Sequence, residues 1–173
     1  VKTKPRRMIK SILLALEGIH EVVRMVNYVL SYAIHLLNYT ITIRTHPVLS
    51  WSRISKKVAY DLNSFSNVTL SSAPLIEDLN QADICVYWGS TVSLEALRMG
   101  IPLIHYDMET VLSNDPLFRC KHLKWIATKN DSLSEIIEEI DSLSNEEYSS
   151  QVVKAKQYIE TYFYPVTDEN LSK

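Results

Sequence analysis

The sequence predicts an α/β three-layer sandwich around a parallel sheet of about six strands, and three observations point to it. Apolar runs of strand length alternate with helix-period stretches along most of the 173 residues, as βαβ units do. The run Asp83 to Trp88 is apolar at nearly every position, the pattern of a central strand covered on both faces. Only three glycines occur; Gly18 and Gly89 stand where an apolar run gives way to a helical pattern, and Gly100 where a helix ends.

Taken in order, Ile9 to Leu16 is a short apolar run ending at Glu17-Gly18, the first strand. Val22, Val26, Val29, Ala33 and Leu36 recur at spacings of three and four and predict a helix. Thr40 to Arg44 alternates β-branched residues, a second strand stopped by Thr45-His46-Pro47. Trp51, Ile54, Val58 and Leu62 mark one face of a further helix. Asn67 to Ser71 is a brief third strand, and Pro74 opens a helix carrying Leu75, Ile76, Leu79 and Ala82. After the fourth strand, Ser90 to Met99 is helical, Ile101 to Tyr106 is a fifth strand and Trp125 to Thr128 a weak sixth. The stretch 107–124 has no period and reads as a long loop of functional interest. Two capping boxes, Ser132 with Glu135 and Ser144 with Glu147, announce the last two helices.

Composition narrows the function. With 18 basic and 20 acidic residues and a net charge of -2, no surface suited to nucleic acid is expected. The basic opening (Lys2, Lys4, Arg6, Arg7, Lys10) reads as a solvated linker. No apolar run reaches the roughly 18 residues that span a bilayer; the longest, Ile9 to Leu37, is broken by Glu17, His20, Glu21 and Arg24. Cys85 and Cys120 are expected reduced, in a cytoplasmic protein. The chain opens on Val1 rather than Met and reads as an excised domain. The expected division is a linker over 1–8, a ligand-binding domain over 9–144, and a helix and tail over 145–173 that cross toward a missing neighbour. The aromatic end, Tyr162-Phe163-Tyr164-Pro165, suits such a docking role.

In an open parallel sheet, ligands bind beyond the carboxyl ends of the strands near the point where strand order reverses. The strand ends here are Glu17-Gly18, Thr45-His46, Ser71-Ser72, Gly89-Ser90-Thr91 and Tyr106-Asp107. Gly89 permits a sharp turn, and Ser90 as N-cap would leave the following amides facing an anion such as a diphosphate. Thr91 and Glu95, four apart, share a helix face, and a carboxylate one turn beyond a phosphate suits two ribose hydroxyls. An ordinary capped helix with a solvated Glu is the competing reading. His46 at a strand end can donate to a phosphate oxygen, with Pro47 fixing its turn and Arg44 a second cation; a turn histidine bonded to backbone is the alternative. Glu17 reads as a solvated loop residue and is the one weak candidate for a catalytic group. Asp107 and Asp115 border the long loop, where contact with a sugar or a partner domain and plain loop polarity explain them equally well. His20, His35, His105 and His122 lack metal-ligand spacing, so no metal and no cofactor is expected.

Residues 89 to 104, Gly-Ser-Thr-Val-Ser-Leu-Glu-Ala-Leu-Arg-Met-Gly-Ile-Pro-Leu-Ile, resemble the nucleotide-binding segment in the C-terminal domain of GT-B glycosyltransferases, especially bacterial surface-carbohydrate and capsule enzymes. The whole chain is similar to that Rossmann-like domain in element order. The resemblance implies that Glu95 bonds the donor ribose, that Ser90 and Thr91 hold the diphosphate, and that the loop at Glu17-Gly18 borders the sugar. Thr45-His46-Pro47 is similar to the His-Pro motif of bacterial sialyltransferases, capsule polymerases and glycerophosphate transferases, where the His contacts donor phosphate. Glu17-Gly18 resembles the acidic-Gly motif of some sialyltransferases. Retaining members often carry Glu-x7-Glu, and Tyr87 stands where its first Glu would fall, which leaves the mechanism open.

The expected function is the donor half of a glycosyltransferase in polysaccharide or glycolipid synthesis, inactive alone. Its expected partners are a nucleotide-sugar donor, a missing N-terminal acceptor-binding domain and a glycan or lipid-linked acceptor, with membrane contact only through the parent protein at the inner face. A sugar-nucleotide 2-epimerase-like or glycerophosphotransferase-like domain is the first alternative. A non-enzymatic α/β binding or regulatory module is the second.

Overall fold

The computed structural model describes residues 5–111 and 113–163. Six strands, β1 (Ser11–Ala15), β2 (Thr40–Arg44), β3 (Val68–Leu70), β4 (Ile84–Tyr87), β5 (Leu103–Tyr106) and β6 (Lys124–Ala127), form one sheet in the order β3-β2-β1-β4-β5-β6. Every pairing is parallel. The helices are α1 (Val22–Ala33), α2 (Trp51–Ile54), α3 (Leu75–Gln81), α4 (Val92–Arg98), α5 (Leu133–Ser142) and α6 (Asn145–Glu160).

Alternation along the strands divides the core into two layers. Ile12, Leu14, Ile41, Ile43, Ile84 and Val86 face α1, α2 and α5. Leu13, Ala15, Cys85, Tyr87 and Leu103 face α3, α4 and α6. β1 and β4 are buried on both sides, which is why their sequences run apolar rather than alternating. Val22, Met25, Val26, Val29, Leu30 and Ala33 on α1 are wholly buried. Each large aliphatic among them contributes about 1.5–3 kcal/mol on leaving water.

The helix expected over Trp51 to Leu62 is a single α-turn, α2, followed by 3₁₀ turns at Ser55–Lys57 and Leu62–Ser64. Side-chain bonds draw the backbone out of the helix: Asn27 Oδ1 accepts the Ala59 N–H at 2.8 Å and Asp61 Oδ1 the Asn63 N–H at 3.0 Å. The apolar residues that suggested a helix still pack on the core from this irregular path. The expected sixth strand begins one residue earlier, at Lys124.

Gly100 has φ 75°. The Ile101 N–H reaches the Ala96 carbonyl at 3.0 Å and the Gly100 N–H the Leu97 carbonyl at 2.9 Å, the paired bonds of a Schellman ending. Gly100→Ala is expected to cost about 1–2 kcal/mol, the penalty of a Cβ in left-handed backbone. Urea unfolding checks it, and a change below about 0.3 kcal/mol would show the cap to be unstrained.

Both capping serines accept the expected amide: Ser132 from Glu135 and Ser144 from Glu147. Helix α6 packs on α4 through Ala155 and Ile159, and its Tyr148 hydroxyl donates to the Gly100 carbonyl at 3.0 Å. In the basic opening Arg7 and Lys10 are exposed, while Arg6 is held against α5 and the start of α6. Arg6 donates to Asn145 Oδ1 and the Asp141 carbonyl, both at 3.0 Å, and lies over the Tyr148 ring. Lys2, Lys4 and the aromatic end from Tyr164 onward lie outside the described residues.

Candidate functional site at the carboxyl edge of the sheet

Strand order reverses between β1 and β4, since β1 leads through α1 to β2 on one side while β3 returns through α3 to β4 on the other. The loops after β1 and β4 therefore part at the carboxyl edge, the geometry that opens a ligand crevice. Three of the strand ends singled out in the sequence meet there. The Gly89 N–H donates to Glu17 Oε1, joining the β4 loop to the β1 loop. A Cβ on Gly18 would stand 3.0 Å from His46 Nδ1 and 2.6 Å from Val48 Cγ2, so the β2 loop packs directly on the β1 loop.

Glu17 departs from its expected solvated state. Its Oε2 is buried without a partner. Burial raises its pKa above the ordinary carboxylate value, against the opposing pull of the amides of Gly89, Glu17 itself, Ser90 and Trp88. The carboxyl group thus sits on the Gly89 amide, just ahead of the amides that the sequence reading offers to a ligand anion.

His46 is exposed on a turn closed by the Leu49 N–H on its carbonyl at 2.9 Å. Its Nδ1 accepts the Val48 N–H at 3.3 Å. That bond assigns the proton to Nε2, which makes the outer nitrogen a donor.

The expected N-cap role of Ser90 is corrected. α4 starts at Val92, and Thr91 holds the cap position with helical backbone and no side-chain cap bond. Ser90 Oγ is only 3.4 Å from the Val92 N, while its carbonyl receives the Ser93 N–H at 3.1 Å and the Ser93 hydroxyl at 2.7 Å. The turn is therefore already wound when it reaches Thr91, and the Ser90 hydroxyl sits too far back to cap well. Thr91 and Glu95 are exposed one turn apart.

Arg44 is not a free phosphate cation. Its Nη1 contacts Asp78 Oδ2 at 2.6 Å and the Ala73 carbonyl at 2.8 Å. Alternation along β2 sends it to the α3 side, where buried Asp78 needs a counter-charge.

Sequence reasoning missed the group that holds the long loop. Asp115, read there as a sugar or partner contact or as loop polarity, has a buried side chain (2% exposed) paired with Lys124 Nζ (4% exposed) at 2.5 Å. It also accepts the Tyr87 hydroxyl and the Leu117 N–H, each at 2.8 Å. Tyr87 thus faces the core beneath the loop. This anchor sets Asn114 over Gly89: a Cβ there would lie 2.9 Å from the Asn114 carbonyl oxygen and 3.1 Å from its Cβ. No local pattern announces Asn114 or Lys124, since both act through contacts made in three dimensions. Arg24, noted in the sequence only as a break in an apolar run, donates to the Met108 carbonyl at 3.1 Å and ties α1 to the loop after β5.

Among the described residues, no group of three or more His, Cys, Asp or Glu converges to hold a metal ion, and no helix is long and apolar enough to cross a membrane. Cys85 and Cys120 are free and buried. A cavity of about 20 Å³ lined by Arg7, Asp83, Ile101 and Tyr148 lies at the opposite, amino edge of the sheet. It is large enough for a water and not for a nucleotide.

No family model matches the sequence, and no curated protein matches it. Solved structures do. The calicheamicin glycosyltransferase aligns with TM-score 0.61 at 16% identity, over 92% of this chain and 41% of its own. SnogD, a glycosyltransferase from Streptomyces nogalater, gives 0.59 at 15%, over 90% and 40%. The UDP-GlcNAc 2-epimerase from Neisseria meningitidis, solved with UDP-GlcNAc, gives 0.55 at 18%, over 89% and 44%. The chain spans about two fifths of the length of these structures. What they share with it is the fold, a Rossmann-like α/β domain matching the C-terminal domains of GT-B glycosyltransferases.

Proposed function

We propose that this chain is the donor-binding half of a glycosyltransferase and takes a nucleotide-activated sugar at the carboxyl edge between β1 and β4. The observation that carries the reading is the meeting of three loops at the strand-order reversal, Glu17 on Gly89 and Gly18 on His46, in a fold matched by glycosyltransferases. The Nε2–H of His46 and the amides beside Ser90 and Thr91 would bind the phosphates, and Glu95 the ribose. As the bond to the sugar breaks, negative charge grows on the departing nucleotide, and fixed N–H donors stabilise it without reorganising. The acceptor and the base that deprotonates it belong to another domain, so the chain alone should turn over nothing. The epimerase likeness supports a second reading, a sugar-nucleotide 2-epimerase domain.

Calorimetry with UDP-, GDP-, CDP- and CMP-linked ligands tests the proposal. One nucleotide class should bind selectively, and His46→Ala and Glu95→Ala should each weaken it by roughly tenfold or more, the worth of one charge-assisted hydrogen bond. Preference for CMP or CDP would point to sialyl or glycerophosphate chemistry. Unchanged affinity in both variants would instead favour a non-enzymatic module.

A further inference from the structure

We propose that Glu17 is a built-in occupant of the donor site, a carboxylate that fills the loop backbone ahead of α4 and must be neutralised in place when a phosphate arrives, so that donor binding takes up one proton. The inference rests on the donor reading above and adds its control.

Three observations support it. The Gly89 N–H is already committed to Glu17 Oε1, so an amide of the loop that would receive a ligand oxyanion is bonded to a carboxyl oxygen of the chain itself. The second oxygen, Oε2, is buried and has no partner, and a carboxylate oxygen in that condition is costly to keep charged. The backbone on either side of the carboxyl group is also tightly packed: a Cβ on Gly18 would meet Val48 and His46, and one on Gly89 would meet Asn114. A phosphate beside Gly89 would thus meet a like charge at short range, and the group that can take a proton there is the carboxylate.

The surroundings leave Glu17 as the group that yields. Beneath it on β4 lies Cys85, whose thiol is pushed up to about 12 by burial and then by Glu17 itself, so it is uncharged at neutral pH. On the other side, His46 of the β2 loop packs on Gly18, the residue after Glu17. The causes acting on Glu17 are burial and four backbone amides, with burial the largest, and the outcome is a raised pKa. A proton therefore reaches Glu17 at higher pH than an ordinary glutamate, and a ligand phosphate raises that point further.

The three glycines make the test direct. Selective ¹⁵N-glycine labelling of the 173-residue chain gives three amide signals, for Gly18, Gly89 and Gly100. The Gly89 signal should titrate with an apparent pKa above the usual 4.5 of a glutamate, and Glu17→Gln, which keeps an acceptor oxygen but no charge, should abolish that titration. The probes are UDP-glucose, GDP-mannose and CMP-N-acetylneuraminate, whose phosphates keep constant charge across the range. The probe that binds should do so up to about tenfold more weakly per pH unit above the Glu17 pKa, and at pH 8 Glu17→Gln should bind it at least tenfold more tightly than wild type.

Stability gives a second readout. A carboxyl whose folded pKa lies above its unfolded value makes the fold lose stability as pH climbs between the two, and Glu17→Gln should flatten that slope. A Gly89 signal indifferent to pH, or equal affinity at every pH in both proteins, overturns the inference and leaves the donor reading standing. Failure of every probe to bind either protein at any pH overturns both.

Discussion

Replacing Lys124 by Met is expected to lower stability by about 3–5 kcal/mol, the cost of leaving a buried carboxylate without its counter-ion. In a chain of this size that corresponds to a fall in Tm on the order of 10 °C. Asp115 would keep the Tyr87 hydroxyl and the Leu117 N–H, but these two dipoles do not replace a full charge. Lys124 also donates to the Leu117 carbonyl at 2.7 Å, so the substitution frees the loop at two points. Urea unfolding of wild type and Lys124→Met measures the effect. A loss below about 1 kcal/mol would mean the pair behaves as exposed ion pairs do, and the loop would need another anchor.

The second large effect is expected at Gly89. A methyl group there must displace the Asn114 backbone, and that backbone is held one residue away by the Asp115–Lys124 pair. Neither side gives easily. Gly89→Ala should cost about 1–3 kcal/mol, the range for overpacking, and weaken nucleotide-sugar binding by at least about tenfold because the Gly89 amide moves. Gly18→Ala is the informative contrast. The atom nearest its new methyl is Val48 Cγ2, on a side chain 63% exposed that can swing into solvent. If Gly18→Ala proves the more damaging of the two, the view that Asn114 is rigidly placed over Gly89 fails.

How much of this was readable in the sequence depends on the range of the interaction. The strands follow from periodicity and burial, which act over a few residues, and so does the Gly100 cap, whose φ of 75° only glycine adopts at little cost. Trp51 to Leu62 misled because its apolar spacing was sound while Asn27, from another helix, captured the Ala59 amide. Arg44 misled because a cation at a strand end looks available until Asp78, 34 positions later, claims it. Glu17 is the sharpest case. Its two-residue motif with Gly18 carries no sign that the carboxyl folds inward onto Gly89, 72 positions away. The site was legible as a set of strand ends, and the contacts that join those ends were not.

The sheet order has a consequence for how the chain is made. β1 is made before the other five strands of its sheet, yet it ends in the middle of that sheet, and one of its two neighbours, β4, begins only at Ile84. Until then Ile12, Leu13 and Leu14 lie along an open apolar border, with a closure of about 70 residues still to come, a slow step in any parallel architecture. A nascent chain halted between β3 and β4 is thus a half-sheet with a sticky margin, the stage at which chaperone capture or self-association should be greatest.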